Sequence, residues 1–234
     1  MLFISCALYL SFSYEMSITK IVGYQILKPL YYHKVIKHLH VRHLHIEQVC
    51  CWQVLPLFIG KKVKLRPLEP EDAEVLSNYI NDWEVRQYLA MYLPISRETE
   101  RDWVIRQSRS VSDKLIVLGI EPIDLKEATL IGTISLEIDW KNKNAELGIA
   151  IWNKKFWGKG YGTDAIRVLL RYAFYELGLH KIWLRVFEFN QRAIKCYENI
   201  GFKREGVLRE MLFRDGHWHN VIIMGVMKDE FKVD

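Results

Sequence analysis

Three alternating glycines, in Phe156-Trp157-Gly158-Lys159-Gly160-Tyr161-Gly162-Thr163, stand directly ahead of a well-formed amphipathic segment. Such spacing strips side chains from one stretch of backbone, so its N–H groups can approach a bound group closely. Behind it Ile166, Leu169, Leu170, Ala173, Phe174 and Leu177 recur at three- and four-residue spacings, and Gly178 sits where a helix stops. A helix N-terminus carries free N–H groups and the positive end of the dipole, which makes it an anion site with pyrophosphate as the usual occupant. Lys154, Lys155 and Lys159 add positive charge nearby.

Two nucleotide motifs compete for this loop and fit poorly. A Walker loop needs Gly-Lys-Ser/Thr, which is not here. The dinucleotide pattern G-x-G-x-x-A does match Gly160 to Ala165. Its glycine should follow a strand at once, however, and Trp152 is eight residues earlier. Glu188, the acid closing the next strand, lies 28 residues beyond Gly160, against the roughly 20 that the fingerprint uses. The bland alternative is a glycine-rich turn that only joins a strand to a helix.

The flanking chain reads as alternating strands and helices from about Ile59 onward. Val63 to Leu68 alternates like a half-buried strand. Pro70-Glu71-Asp72 opens a helix through Ala73, Leu76 and Ile80, and Ser96-x-x-Thr99-Glu100 opens another ending near Ser110. Lys114–Glu121, Leu130–Trp140 and Ala145–Trp152 read as strands, with a polar turn at Asp139–Asn144. The unit 145–152, 156–177 and 181–189 is strand, loop plus helix, and strand, of the parallel kind that places a loop at a strand's C-terminal end. Near the C-terminus, Glu205–Met211 and Arg214–His219 read as two strands turning at Asp215-Gly216.

Residues 1–58 differ in kind. They hold five of the eight histidines and three of the four cysteines but only two acids. Their apolar run, Met1–Tyr14, is shorter than the roughly 20 residues of a bilayer-spanning helix and has no signal-peptide layout, so no membrane partner is expected. His38, His40, His43 and His45 spread over more than one face as helix or strand, so no metal site is expected. We read 1–58 as a peripheral or poorly ordered extension whose deletion leaves a folded domain at 59–234. The cysteines (Cys6, Cys50, Cys51, Cys196) form no C-x-x-C pair, which excludes a disulfide scaffold or zinc ribbon and fits a reducing cytoplasm. The net charge of +5 is too small to argue for nucleic-acid binding, and no nucleic-acid partner is expected.

From Ala145 onward the chain resembles the GNAT superfamily of N-acetyltransferases, in particular its RimJ/RimL-type branch. The residues that carry the resemblance are Ala145-Glu146-Leu147-Gly148-Ile149-Ala150-Ile151, Trp157-Gly158-Lys159-Gly160-Tyr161-Gly162-Thr163-Asp164-Ala165, and Asn190-Gln191-Arg192-Ala193-Ile194-Lys195-Cys196-Tyr197-Glu198-Asn199-Ile200-Gly201-Phe202. Leu65-Arg66-Pro67-Leu68 with Glu71-Asp72 is similar to the family's opening strand and helix, so the likeness spans about residues 60–231. Trp157 stands where the wider superfamily often has Gln or Arg.

The resemblance implies an α/β (α+β) fold: a central mixed, mostly antiparallel sheet with one splayed strand pair, flanked by helices. It also implies acetyl-CoA as cosubstrate and no metal. The diphosphate would lie on Trp157, Gly158, Lys159, Gly160, Tyr161, Gly162 and Thr163, and the pantetheine arm would pair with the backbone of Ile149, Ala150 and Ile151 as an added strand does. Asn190 has two compatible readings, helix cap and CoA contact.

Acetyl transfer to an amine needs a neutral amine, a polarised thioester and a proton for the departing thiolate. Tyr197 matches the family's acid tyrosine; otherwise it reads as a half-buried core residue. Glu146 is the first candidate base and Glu137 the second; either could instead bind the amine or simply face solvent. Cys196 as nucleophile would need a histidine partner, so direct transfer is favoured. Trp83, Tyr88, Tyr92, Glu205, Glu210 and His219 could line the acceptor side. A protein N-terminus (as on a ribosomal protein), a polyamine and an amino sugar all stay open as acceptors, and homodimerisation is a further expectation from the branch. The alternative function is a non-catalytic CoA-binding regulatory module with the same fold.

Overall fold

The computed structural model describes residues 57–110, 112–125 and 129–232. The apolar run at Met1–Tyr14, the histidine tract and most of the proposed N-terminal extension lie outside the described residues.

Alternation at the start of the domain does build an edge strand. β1 (Val63–Pro67) buries Val63 and Leu65 and turns Lys64 and Arg66 outward. Next come α1 (Asp72–Tyr79), a single helical turn α2 (Trp83–Arg86) and α3 (Arg97–Arg109). Ser96 caps α3 as its sequence position predicts, its hydroxyl accepting from the Thr99 N–H at 3.0 Å. Three strands follow, β2 (Leu115–Pro122), β3 (Gly132–Asp139) and β4 (Asn144–Ile151). The glycine loop leads into α4 (Tyr161–Arg171), then β5 (Lys181–Phe187), α5 (Gln191–Ile200) and the hairpin β6 (Lys203–Arg214) and β7 (His217–Met227).

The seven strands form one sheet in the order β1-β2-β3-β4-β5-β7-β6, with β4–β5 the sole parallel neighbours. Only a crossover through α4 can join those two strands, and α4 packs its apolar stripe back on the sheet. Leu169, Leu170 and Phe174 meet Ile134, Leu136 and Leu184 in the main core. Truncating a side chain as fully buried as Phe174 costs about 3–5 kcal/mol. A second cluster, with Leu76, Val104 and Trp152, joins α1 and α3 to the residue that follows β4. Among the described residues no helix is long and apolar enough to cross a membrane.

Two details depart from the sequence reading. The helix behind the glycine loop widens into a π turn at Tyr172–Glu176, where the Leu177 N–H reaches the Tyr172 carbonyl at 3.1 Å. The C-terminal strands run longer than 205–211 and 214–219, although the turn falls where expected. Asp215 and Gly216 take φ of 51° and 78°, the left-handed pair that a tight two-residue hairpin turn requires. The first described residues form a packed turn. Phe58 stacks on Tyr172 at 4.8 Å, its carbonyl accepts from Leu65 at 2.8 Å, and Arg171 holds the Ile59 carbonyl at 2.9 Å.

Candidate active site

Everything at this site follows from the parting of β4 and β5. Their pairing comprises Asn144↔Lys181, Ala145↔Ile182 and Glu146↔Trp183, and it stops there. On its other side β4 stays paired with β3 through Ile151. From Leu147 to Ile151, β4 therefore shows an unpaired edge toward β5. A cleft of about 740 Å³ opens between them, floored by Ile149, Ala150 and Ile151.

The glycine loop closes one end of this cleft. Gly158 and Gly160 take φ of 70° and 87°, where an L side chain is strained, and a Cβ on Gly158 would meet nothing within 4 Å. Gly160 caps α4, and Asp164 is the first helical residue whose N–H finds a carbonyl, that of Gly160 at 3.0 Å. The amides of Tyr161, Gly162 and Thr163 have no acceptor within the helix, as at any helix start. They form the free-donor, positive-dipole end that holds an anion.

Trp157 moors the loop to the strand it follows. Its indole N–H donates to the Ile151 carbonyl at 2.7 Å, and its ring meets Tyr88 edge-on at 6.1 Å. The Arg192 guanidinium lies 3.9 Å from the Trp157 ring centre and 5.5 Å from that of Tyr88. Trp157, Gly158, Gly160, Gly162 and Thr163 all line the cleft. Lys159 and Tyr161 do not. The Lys159 carbonyl accepts from the Lys62 ammonium at 2.9 Å, while the Tyr161 side chain runs inward and its hydroxyl donates to Asp124 at 2.8 Å. That bond, with burial, raises the Tyr161 pKa. The Tyr161 hydroxyl is thus turned away from the cleft.

α5 supplies the far wall. Asn190 caps it, its side-chain oxygen accepting from the Ala193 N–H at 3.2 Å, and also lines the cleft. Tyr197 lies two turns further on and is buried, yet it faces the cleft, and among the described residues its hydroxyl has no hydrogen-bond partner. Burial pushes its pKa up, helped by Cys196, so the phenol keeps its proton throughout the neutral range. The neighbouring Cys196 pairs with the Thr163 hydroxyl at 3.1 Å, and burial raises its pKa too, the opposite of an activated nucleophile.

Glu146 reaches the same cleft from β4, but not as a free carboxylate. Arg185 on β5 grips both its oxygens, at 2.7 and 3.1 Å. Glu137, its cross-strand neighbour, is exposed and outside the cleft. Of the acceptor-side residues named from sequence, Tyr88 and Tyr92 line the cleft. Trp83, Glu205, Glu210 and His219 do not. Glu205 pairs with Lys181 at 2.6 Å, and His219 faces Glu188 and Phe189.

Arg214 positions the Tyr88–Tyr92 wall. Buried beneath it, the side chain donates to the Arg86 and Leu89 carbonyls, each at 3.0 Å. The sequence reading missed Arg185, Arg192 and Arg214. Only Arg192 had a local signal, two residues past the Asn190 cap.

Comparison with known proteins agrees with this geometry. The family model described as "Acetyltransferase (GNAT) domain" matches residues 62–203. Among curated relatives, YdaF of Bacillus subtilis, whose name assigns it provisionally as a ribosomal N-acetyltransferase, is 34% identical over 180 residues, covering 74% of this chain and 96% of its own. The spermidine N(1)-acetyltransferase of Escherichia coli K12 is 31% identical over 169 residues, covering 72% and 88%. Among solved structures, the Vibrio cholerae spermidine N-acetyltransferase in complex with CoA and spermine superposes with a TM-score of 0.64 at 28% identity, over 72% of this chain and 96% of that one.

Proposed function

The chain belongs to the GNAT acetyltransferase domain family and is an N-acetyltransferase; from that premise we propose that it moves an acetyl group directly from acetyl-CoA to an α-amine such as a protein N-terminus. The observation that carries this reading is one cleft holding the open β4 edge, the free amides of the glycine loop and Tyr197.

In this reading the diphosphate rests on the loop and the start of α4, and the pantetheine arm lies along Ile149–Ile151 as an added strand. The cradle fits: the two left-handed glycines keep Cβ atoms out of the way, and nothing on β5 competes for that edge of β4. The amine attacks the thioester carbonyl, the C–N bond forms as the C–S bond breaks, and Tyr197 gives its proton to the departing sulfur. The extra proton on the new amide nitrogen leaves through water to Glu146, which keeps lone pairs beyond those that Arg185 occupies. A spermidine-like acceptor, suggested by the Vibrio cholerae and Escherichia coli relatives, is the second reading.

Two measurements test the proposal: thermal shift with acetyl-CoA against NAD, and thiol release over N-terminal peptides, spermidine and aminoglycosides. Stabilisation by acetyl-CoA with peptide-dependent thiol release is expected. Stabilisation by NAD alone would overturn the reading, and binding without turnover of any amine would point to a regulatory module.

A further inference from the structure

The Glu146–Arg185 pair stands at the point where β4 and β5 part, across the cleft that the amine must enter. Glu146 is the last β4 residue paired with β5, opposite Trp183, and Arg185 lies two residues beyond Trp183. The pair is bidentate, the geometry that holds a carboxylate most firmly. Glu146 is the only carboxylate among the described residues lining the cleft, whereas Arg185, Arg192 and Lys195 bring three cations to it. The rest of the acceptor-side lining is aromatic or apolar, with Tyr88, Tyr92, Leu208 and Met211 foremost.

We propose that Arg185 is a specificity-determining residue that, by occupying both oxygens of Glu146, shuts the acceptor cleft to polycationic amines. The proposal rests on the acetyl-transfer reading and deepens it. A protonated amine entering a half-apolar cleft needs a counter-charge, since an unpaired charge out of water is costly. The one carboxylate among the described lining residues has its charge offset by Arg185, although lone pairs remain for a proton, and the three cations disfavour any further ammonium. An α-amine, with pKa about 7.7–8.0, has a neutral fraction of roughly a tenth or more near neutral pH and brings no second charge. A polyamine has amines near the alkylammonium value of about 10.4 and brings two or more charges. Remove Arg185, and Glu146 becomes a free carboxylate at the point where the two strands part, which is what an ammonium requires. The Arg185 side chain is half exposed and lies against the Trp183 ring (6.0 Å), so its truncation leaves the core intact.

The test compares the full-length protein with Arg185→Gln and with Arg185→Gln combined with Glu146→Gln. Each is assayed at saturating acetyl-CoA with an N-terminal peptide and with spermidine, and spermidine binding is followed by calorimetry. The ratio of kcat/KM for spermidine to that for peptide is expected to rise about tenfold or more in Arg185→Gln, with tighter spermidine binding. It should fall back in the double variant, because the freed carboxylate is what the gain depends on. A ratio unchanged within about twofold in Arg185→Gln, or a gain that survives removal of Glu146, would overturn the proposal. So would a wild-type protein that already prefers spermidine, and that result leaves acetyl transfer standing. A wild-type protein that binds acetyl-CoA but acetylates no amine would instead defeat the transfer reading.

Discussion

Asp164, in the first turn of α4, accepts the backbone N–H of Lys62 at 2.7 Å, and the same carboxylate takes the N–H groups of Lys61 and Val63 at 3.1 and 3.0 Å. One side chain thereby ties the start of the edge strand β1 to the helix whose N-terminus closes the cleft. Lys62 completes the tie by donating to the Lys159 carbonyl inside the glycine loop. Replacing Asp164 with Ala leaves three donors, two of them exposed to water, without their shared acceptor, at a cost of about 0.5–1.5 kcal/mol. The loop should shift as well, so a rise in KM for acetyl-CoA with kcat nearly unchanged is expected. Steady-state kinetics beside a melting curve check both effects, and an unchanged KM would reduce Asp164 to a purely structural role.

Two glycines with positive φ allow structure and function to be separated. Gly160 (φ 87°) starts α4 at the cleft, while Gly201 (φ 116°) ends α5 away from it. An added Cβ meets nothing closer than 3.8 Å at either, so the cost of Ala is conformational, about 1–2 kcal/mol or more. Both variants are expected to melt lower, by about 2–4 °C per kcal/mol. Only Gly160→Ala should also weaken acetyl-CoA binding by titration calorimetry. Equal binding losses in the two would mean that the loop has no special place in the site.

What could be read from the sequence was whatever depends on neighbours along the chain. Alternation in Val63–Leu68, the Ser96 cap and the i, i+3, i+4 stripe of α4 are local patterns, and each formed the element it encodes. The glycine loop was legible for the same reason, since its conformation is written in its own residues. The Arg185 grip on Glu146 was not, because the partners lie 39 residues apart and meet only once β4 and β5 stand side by side. Arg214, 128 residues from the Arg86 carbonyl it holds, was hidden likewise. The short α2 at Trp83–Arg86 has too few residues to show a period. Its start depends on Asp82, whose carboxylate accepts the Glu84 N–H at 2.9 Å.

At the sheet edge, Arg66 binds Asp72 with two N–H groups at 2.8 Å each and reaches Glu121 at 2.8 Å, while Lys64 holds the other Glu121 oxygen at 2.6 Å. Burial pushes the Glu121 pKa up, but Lys64 and Arg66 more than offset it and the net shift is downward. A carboxylate with a depressed folded pKa stabilises above its unfolded value and loses that contribution as pH falls. Stability should therefore decline below about pH 4.5, the ordinary Glu value. Glu121→Gln should lower the melting temperature at pH 7 and flatten the acid limb between about pH 5 and 3. An acid limb unaltered by the variant would place that sensitivity on other carboxylates.

Tyr197 offers the sharpest test of chemistry, because among the described residues its hydroxyl has no hydrogen-bond partner and it lines the cleft. Removing one oxygen by Tyr197→Phe leaves the packing against Phe202, 5.8 Å away, essentially unchanged. Loss of a general acid lowers kcat by about 10²–10⁴-fold, whereas acetyl-CoA affinity should stay within about threefold. The pH profile gives a second reading. Burial raises the phenol's pKa above its ordinary 10, so the acid form persists and no alkaline fall in kcat from Tyr197 is expected below about pH 10. The same shift means that the neutral phenol stabilises the fold fully below pH 10 and loses that contribution as pH climbs toward the folded pKa. In Tyr197→Phe the alkaline loss of stability should therefore be smaller. A variant that keeps wild-type turnover would remove Tyr197 from the reaction and leave water as the proton source for the leaving thiolate.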